Sequence, residues 1–255
     1  EGMPGRLYST MDNPNNYAEY LIMLLPICIA YFLNVKNDFK KLLLLGIIGL
    51  GILVLVLTLS RASYIAFAVG IAFFVLLVNR RLIPFFLVIG VAMIPLLPDF
   101  VISRIMSVGK DSSSKYRFLI WEGVLNMVKD FFFRGIGMGP ETFKRIYATY
   151  ANNDARNAMH SHNLMLNVLV EMGIGGFISF ILFLLSSLKT NFIAYLDSKS
   201  SYFKIFISGF IASIIGIMLF SSVEYVWYYP RVQLTFWLVI GLSMSVVNIS
   251  RSETE

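Results

Sequence analysis

The chain has 255 residues, of which 57% are hydrophobic and 14% are charged, and its mean hydropathy is +0.73. Soluble domains carry about 25% charged residues, so this composition excludes an ordinary soluble domain and indicates a polytopic membrane protein. The formal net charge of +6 comes from basic residues dispersed among loops, which argues against a nucleic-acid partner. The single cysteine, Cys28, can form neither an internal disulfide nor a zinc site by itself.

The start of the chain, Glu1-Gly2-Met3, has neither an initiator methionine nor the pattern of a signal peptide. We therefore expect residues 1–255 to be a single membrane domain that forms a fragment of a larger polytopic protein.

Seven apolar stretches approach the length of about 20 helical residues that a bilayer core requires. The sequence thus predicts an all-α polytopic membrane protein with about seven transmembrane helices and one long loop, 99–162, which contains short amphipathic helices. The spans are expected near 18–35, 42–59, 62–79, 82–98, 163–188, 205–223 and 232–250.

Two of these stretches are not simple single crossings. The run from 42 to 79 is too long for one crossing and is interrupted only at Leu59-Ser60-Arg61-Ala62, which predicts a tight hairpin with Arg61 at the turn. The 82–98 span is short and contains three prolines, so it is expected to be kinked or partly re-entrant.

The basic residues of the short loops predict the orientation. One set of span ends carries only Arg6, Arg61 and Arg231, and the positive-inside rule assigns the richer opposite set to the cytoplasm. That richer set is Lys36, Lys40, Lys41, Arg80, Arg81, Lys189, Lys199, Lys204 and Arg251. We therefore expect a multi-pass protein of the cytoplasmic (inner) membrane, with the 99–162 loop on the external or periplasmic side and a cytoplasmic C-terminus.

The long loop shows local order. Apolar residues recur at near-helical spacing over 116–128, which predicts a helix lying along the membrane surface. The glycines of 134–139 then break the pattern, and Pro140 suits the first position of a short helix that runs to about Tyr150.

The chain has two histidines, His160 and His162, where this loop meets an apolar span. One interpretation is an interfacial pair that binds lipid headgroups or neighbouring loops. A second is a metal site, which needs a third ligand from Glu141, Asp154 or Glu171 and fits no known spacing. A third is a general base, because a neutral imidazole can take a proton from a hydroxyl near neutral pH.

The external arginines have two interpretations each. Arg61 at a hairpin turn can simply extend to the interface, and Arg117 can pair with Glu122 or stack on Trp121. Alternatively, Arg61 and Arg117 converge on an anion, since guanidinium binds phosphate oxygens in bidentate fashion. Arg104 and Arg231 are weaker candidates for the same role.

Two carboxylates and one further arginine complete the polar set. Glu171 falls inside a span, nine residues after His162, where a structural hydrogen bond is expected for an acid. Glu224 lies at the external end of another span and is followed by Arg231 across the aromatic turn 225–230. That turn fits an interfacial aromatic belt, or less well a platform for stacking sugars.

Five motifs, in this order, resemble those of the O-antigen ligase and polysaccharide polymerase superfamily of bacterial envelope glycan assembly. They are Asn13-Pro14-Asn15 at a span entry, Ser60-Arg61 at a hairpin, Arg117 with Trp121, the glycines of 135–139 followed by Phe143, and His162-Asn163 separated by nine residues from Gly173-Ile174-Gly175-Gly176. The resemblance identifies the chain with the C-terminal half of such a protein.

The resemblance implies transfer of a glycan from an undecaprenyl-diphosphate donor to a hydroxyl acceptor, by an inverting reaction without metal, nucleotide or other cofactor. It implies that His162 is the base and that Arg61 and Arg117 hold the diphosphate. Candidate substrate-binding residues are His160, Asn163, Arg104, Glu224 and Arg231. The expected partners are this lipid-linked glycan, the lipid bilayer and a chain-length regulator, with no nucleic acid.

Within this superfamily we favour a polymerase over a ligase that transfers glycan to a lipid A core or to a protein. The abundant Ile, Lys and Asn residues suit a low-GC genome, and many low-GC bacteria lack an outer membrane. A transporter or flippase is the alternative from another class. It would show ionisable groups near mid-membrane, whereas here they collect at one face and only Glu171 falls inside a span.

Overall fold

The computed structural model describes residues 6–85 and 112–253, together with positions 88, 102 and 106. Within these residues the chain is helical and contains no strand, which confirms the predicted all-α class. The α-helices of the described residues are α1 Pro14–Asn34, α2 Asp38–Leu57, α3 Arg61–Asn79, α4 Ser112–Phe131, α5 Pro140–Tyr147, α6 Leu164–Asp197, α7 Ser201–Phe220 and α8 Pro230–Ser252. Short 3₁₀ turns follow at Arg80–Leu82 and Asn153–Ala155.

Six helices of the described residues are long and apolar enough to cross a membrane: α1, α2, α3 with its extension to Phe85, α6, α7 and α8. The chain is therefore an integral membrane protein. The predicted 82–98 span lies outside the described residues except at 82–85 and 88.

The first helix begins four residues before the predicted span. The side chain of Asn13 accepts a hydrogen bond of 2.8 Å from the Asn15 backbone N–H, and Pro14 occupies the first helical turn. Both are favourable at a helix N-terminus, so this cap, rather than the first apolar residue, sets the start.

The predicted hairpin turn between α2 and α3 is present. Leu59 adopts a left-handed conformation with φ of 51°, and Arg61 is the first residue of α3. The Tyr64 hydroxyl donates a hydrogen bond of 2.6 Å to the Val56 carbonyl and so closes the turn. Ser63 donates to the Ser60 carbonyl at 2.6 Å.

The chain divides into two compact units, which are described separately. One, the helical unit, consists of 1–105, 187–220 and 234–255, and the other, the loop unit, consists of 106–186 and 221–233. In the helical unit, α3 approaches α7 closely, since a methyl group on Gly70 would lie 2.8 Å from the Ala212 carbonyl oxygen. Two compact units can belong to one membrane domain, so the expected single domain stays a prediction.

The loop unit has a hydrophobic core of its own. Ile120, Val124 and Met127 of α4 are fully buried against Phe143 and Tyr147 of α5. The two aromatic rings stack with centroids 5.3 Å apart. The predicted helix over 116–128 is therefore present as the longer α4, and its apolar face packs on protein.

The helix α6 is much longer than the predicted 163–188 span, and it is broken. Gly173 has φ of 67° and ψ of −176°, which is not helical. The segment 131–137 is hydrogen-bonded to this break: Ile136 N–H donates to the Val170 carbonyl at 2.9 Å, and Ile174 N–H donates to the Phe132 carbonyl at 2.8 Å. The glycine-rich motif thus fixes the loop to the start of a membrane helix.

Candidate active site

Three ionisable side chains meet in the loop unit. The Glu224 carboxylate lies 2.7 Å from Nδ1 of His162 through Oε1, and 3.3 Å from Nη2 of Arg117 through Oε2. Glu224 is 7% exposed, whereas the other two side chains are partly exposed. A buried carboxylate therefore links an accessible imidazole to an accessible guanidinium.

The His160–His162 segment is held by hydrogen bonds along its whole length. Ser161 N–H donates to Oδ1 of Asn167 at 2.9 Å, and the indole N–H of Trp121 donates to the Ser161 carbonyl at 2.9 Å. His162 N–H donates to Nδ1 of His160 at 3.1 Å. These bonds support a φ of 49° at His162, a conformation that costs energy for a residue with a side chain.

Asn163 joins this segment to the turn that carries Glu224. Its Oδ1 accepts a hydrogen bond of 3.0 Å from the Leu166 N–H and so caps α6, while its Nδ2 donates to the Ser222 carbonyl at 2.8 Å. Leu164 N–H donates to the Ser221 carbonyl at 2.8 Å. Asn163 thereby brings the two segments together, and its expected contact with substrate stays a prediction.

The charge of Glu224 is stabilised by its neighbours. Burial by itself raises the pKa of this carboxyl, but the charge and hydrogen bond of His162, together with the Arg117 guanidinium, hold the pKa well below its usual range. A carboxylate only accepts hydrogen bonds, so Nδ1 of His162 must be the protonated nitrogen. Nε2 is then the ring atom with a lone pair when the imidazole is neutral.

His160 is kept uncharged. Burial, reinforced by electrostatic interactions with His162 and Arg117, lowers the pKa of His160 to about 4, although Glu224 opposes this shift. Its ring lies 4.6 Å from the Tyr228 ring and 4.1 Å from the His162 ring, measured between centroids. Nδ1 of a neutral imidazole can accept a hydrogen bond, which explains the 3.1 Å bond from the His162 N–H to His160.

Glu171 forms the structural hydrogen bonds expected of it. Its Oε1 accepts from the Gly139 N–H at 3.3 Å, and its Oε2 accepts from the Tyr225 hydroxyl at 3.3 Å. Burial, followed by the charge and hydrogen bond of Glu171, raises the pKa of Tyr225 well above its usual range. The carboxylate thus connects the glycine-rich loop to the residue that follows Glu224.

The structure corrects the ligand set of the metal interpretation. His160, His162 and Glu224 each offer a potential ligand atom within 4.8 Å of the other two, so the carboxylate beside the histidines is Glu224 and not Glu141, Asp154 or Glu171. The set is compatible with a cation only in part, because the Arg117 guanidinium already contacts the same carboxylate and repels positive charge.

The four arginines predicted to bind an anion differ in what the structure shows of them. Arg117 pairs with Glu224, which takes the place of the partners Glu122 and Trp121 in its first interpretation, and its contact with a substrate anion stays a prediction. Arg61 belongs to the helical unit and Arg231 is exposed near the start of α8, and their roles stay predictions. Arg104 lies outside the described residues.

Apolar helices of membrane-spanning length, with a histidine, a carboxylate and an arginine assembled in a connecting unit, define an integral membrane protein with an enzyme-like site. The family model described as O-antigen ligase matches residues 46–181, just over half of the chain. The chain belongs to the O-antigen ligase family, whose members are membrane enzymes of the ligase or polymerase type, and the resemblance inferred from the sequence is confirmed. No curated protein matches the chain.

Proposed function

We propose that the protein transfers or polymerises glycan from an undecaprenyl-diphosphate-linked donor onto a hydroxyl acceptor at the outer face of the cytoplasmic membrane. The observation that carries this proposal is the Glu224 carboxylate, which contacts both His162 and Arg117. One carboxylate thereby holds a general base beside a cation suited to phosphate. Membership of the O-antigen ligase family supports the same reaction class.

His162 is the general base of the proposed reaction. The acceptor oxygen attacks the anomeric carbon while its proton passes to Nε2 of His162, and the bond from that carbon to the diphosphate oxygen breaks with its electron pair. Glu224 retains the Nδ1 proton and balances the imidazolium that forms. Attack opposite the departing diphosphate inverts the configuration of the sugar.

Arg117 stabilises the leaving group. Its guanidinium has five N–H donors, and Nη2 forms the contact with Glu224, so further donors remain for diphosphate oxygens. Negative charge grows on the diphosphate as the sugar leaves, and a fixed cation lowers that barrier. Arg61 is assigned the same role by its motif, and Arg104 and Arg231 are candidate contacts for the substrate.

A polymerase, which joins repeat units, is our first choice, with ligation to a lipid A core or a protein as the alternative. The composition typical of a low-GC genome supports the polymerase. The proposed reaction needs no metal, nucleotide or other cofactor, because the base and the cation are both side chains.

The test is reconstitution of the full-length protein with a defined lipid-diphosphate glycan in buffer containing EDTA. His162→Ala should lower product formation by about 10²- to 10⁴-fold, the usual contribution of a general base. The matched control is Asn157→Ala, an exposed position in the same loop, which should retain activity. Near-normal product from His162→Ala would refute the base, and activity that requires an added divalent ion would refute the metal-free reaction.

A further inference from the structure

A cluster of apolar side chains is exposed where the loop unit turns after α4. Phe132 and Phe133 are 37% and 84% exposed, and Met138 in the same loop is 63% exposed. The two phenyl rings contact each other edge to face with centroids 5.1 Å apart. We call these three residues the aromatic tip. Large apolar side chains exposed together in one short segment usually mark a surface that contacts something else.

The aromatic tip is held rigidly against α6. Ile136 N–H bonds to the Val170 carbonyl, and Ile174 N–H bonds to the Phe132 carbonyl. In addition, Gly137 N–H donates to the Glu171 carbonyl at 3.0 Å. A methyl group on Gly173 would lie 2.5 Å from the Phe133 carbonyl oxygen, and one on Gly135 would overlap the Glu171 carbonyl. Two glycines therefore permit a backbone contact that fixes the tip beside the break in α6.

That break lies within the apolar length of α6, which also includes residues 164–166 and 168–170 before it. The helix has 34 residues, which is about 51 Å at about 1.5 Å per residue and exceeds a bilayer core of about 30 Å. No charged residue occurs from Gly173 to Leu188, whereas Glu171 precedes this run. This uncharged run is about 24 Å long, which is less than the thickness of the core, so Gly173 lies at or inside the boundary of the hydrocarbon. The tip lies at this level.

Basic residues flank the tip. Lys129 and Arg134 are exposed on either side of the two phenylalanines, and the Arg134 guanidinium lies 5.5 Å from the centroid of the Phe131 ring. Aromatic rings with neighbouring lysine or arginine are the usual composition at a membrane boundary, where the rings enter the apolar layer and the cations reach the headgroups.

We propose that the aromatic tip inserts into the bilayer at the boundary of its hydrocarbon core, and that lipid acyl chains are its partner. The tip thereby fixes the depth of the loop after α4 at the membrane boundary. This inference goes beyond the proposed transferase activity and does not depend on it.

Site-directed fluorescence quenching tests the insertion. Phe133→Cys in a Cys28→Ser background is labelled with bimane in the full-length protein, which is reconstituted in phosphatidylcholine–phosphatidylglycerol vesicles. A nitroxide on the acyl chain near the glycerol should quench the label several-fold more strongly than it quenches a label at Lys144→Cys. Lys144 is the matched control because it is exposed on α5 of the same unit.

The converse probe is aqueous iodide, which should quench the Lys144 label and not the Phe133 label. Met138→Cys provides a second tip position, in case the label at Phe133 disturbs the fold, and it should behave like Phe133. Strong iodide quenching at the tip would overturn the insertion. Shielding from both quenchers would also overturn it, because the tip would then be covered by protein.

Discussion

At the scale of single residues, Glu224 affects His162 in two ways. Its carboxylate orients the imidazole through Nδ1, and its charge compensates a proton gained at Nε2. Both effects act through His162, so Glu224 is a positioning residue in the proposed reaction. Arg117 on the other carboxylate oxygen keeps Glu224 ionised and in place.

Glu224→Gln should lower product formation by about 10²- to 10⁴-fold, because the amide keeps the size of the carboxylate but neither enforces the Nδ1–H tautomer nor balances imidazolium. The measurement is a double-mutant cycle with His162→Ala in the reconstituted assay. If Glu224 acts through His162, the second substitution should cost little further activity.

The control for this cycle is Glu122→Gln, an exposed carboxylate on the same helix as Arg117, which should retain activity. Additive losses in the double variant would contradict a role through His162. They would instead assign Glu224 an independent function, such as binding of substrate.

Of the three side chains that meet at Glu224, sequence motifs identified His162 and Arg117 but did not show that a carboxylate connects them. His162 and Arg117 were both singled out from their motifs. Glu224 was expected at one face of the membrane, but its bond to His162 joins residues 62 positions apart, and no spacing rule reaches that far. It also lies beyond the region matched by the family model. His160 accepts a hydrogen bond from the backbone of His162, and its expected contact with substrate stays a prediction.

At the scale of helices, the break at Gly173 explains why the glycine-rich motif and the Gly-x-Gly-Gly motif occur together. Each supplies a glycine with positive φ, Gly135 at 64° and Gly173 at 67°, and their backbones are in contact. In the same region, the Gly139 N–H donates a hydrogen bond to the Glu171 carboxylate. The two motifs therefore form one structural joint.

Gly173→Ala should destabilise the protein by about 1–3 kcal/mol, because alanine disfavours this φ and its methyl group meets the Phe133 carbonyl oxygen. The matched control is Gly175→Ala, where nothing lies within 4 Å of the added methyl group and no positive φ is required. Gly175→Ala should be neutral or slightly stabilising. The measurement is the apparent melting temperature in detergent, and equal effects of the two substitutions would contradict the joint.

Apolar length and periodicity were sufficient to predict most helices, since bilayer thickness and the helical repeat constrain them directly. The length of α6 was not predictable in this way. The predicted span ended at 188, whereas the helix continues to Asp197. The added turns carry polar Asn191, whose side-chain amide donates hydrogen bonds to the Ser187 carbonyl and to Oγ of Ser243. Tertiary contacts of that kind leave no periodic pattern in the sequence.

At the scale of the whole molecule, the two compact units divide the chemistry. The helical unit supplies most of the membrane-spanning length, while the loop unit holds His160, His162, Arg117 and Glu224. Two groups of the loop unit, His160 and Glu224, have lowered pKa values. Because both bind protons more weakly in the folded protein than in the unfolded chain, acid should destabilise the loop unit.

The pH window follows from these shifts. His160 falls from an ordinary pKa of 6.5 to about 4, so its stabilising contribution is complete above pH 6.5 and is lost as the pH falls towards 4. That contribution is at most about 3.5 kcal/mol, since one pKa unit corresponds to about 1.4 kcal/mol. The Glu224 contribution is complete above its ordinary value of 4.5 and is lost at lower pH.

Tryptophan fluorescence during heating can measure this loss, because Trp121 and Trp227 belong to the loop unit and Trp237 to the helical unit. The apparent melting temperature of the native sequence should fall as the pH is lowered from 6.5 towards 4. His160→Asn should melt at a lower temperature throughout but depend less on pH, because the titrating group is gone while the amide oxygen can still accept the His162 N–H. The exposed control, Asp154→Asn, should keep the native pH dependence. An unchanged slope in His160→Asn would show that the acid sensitivity arises elsewhere.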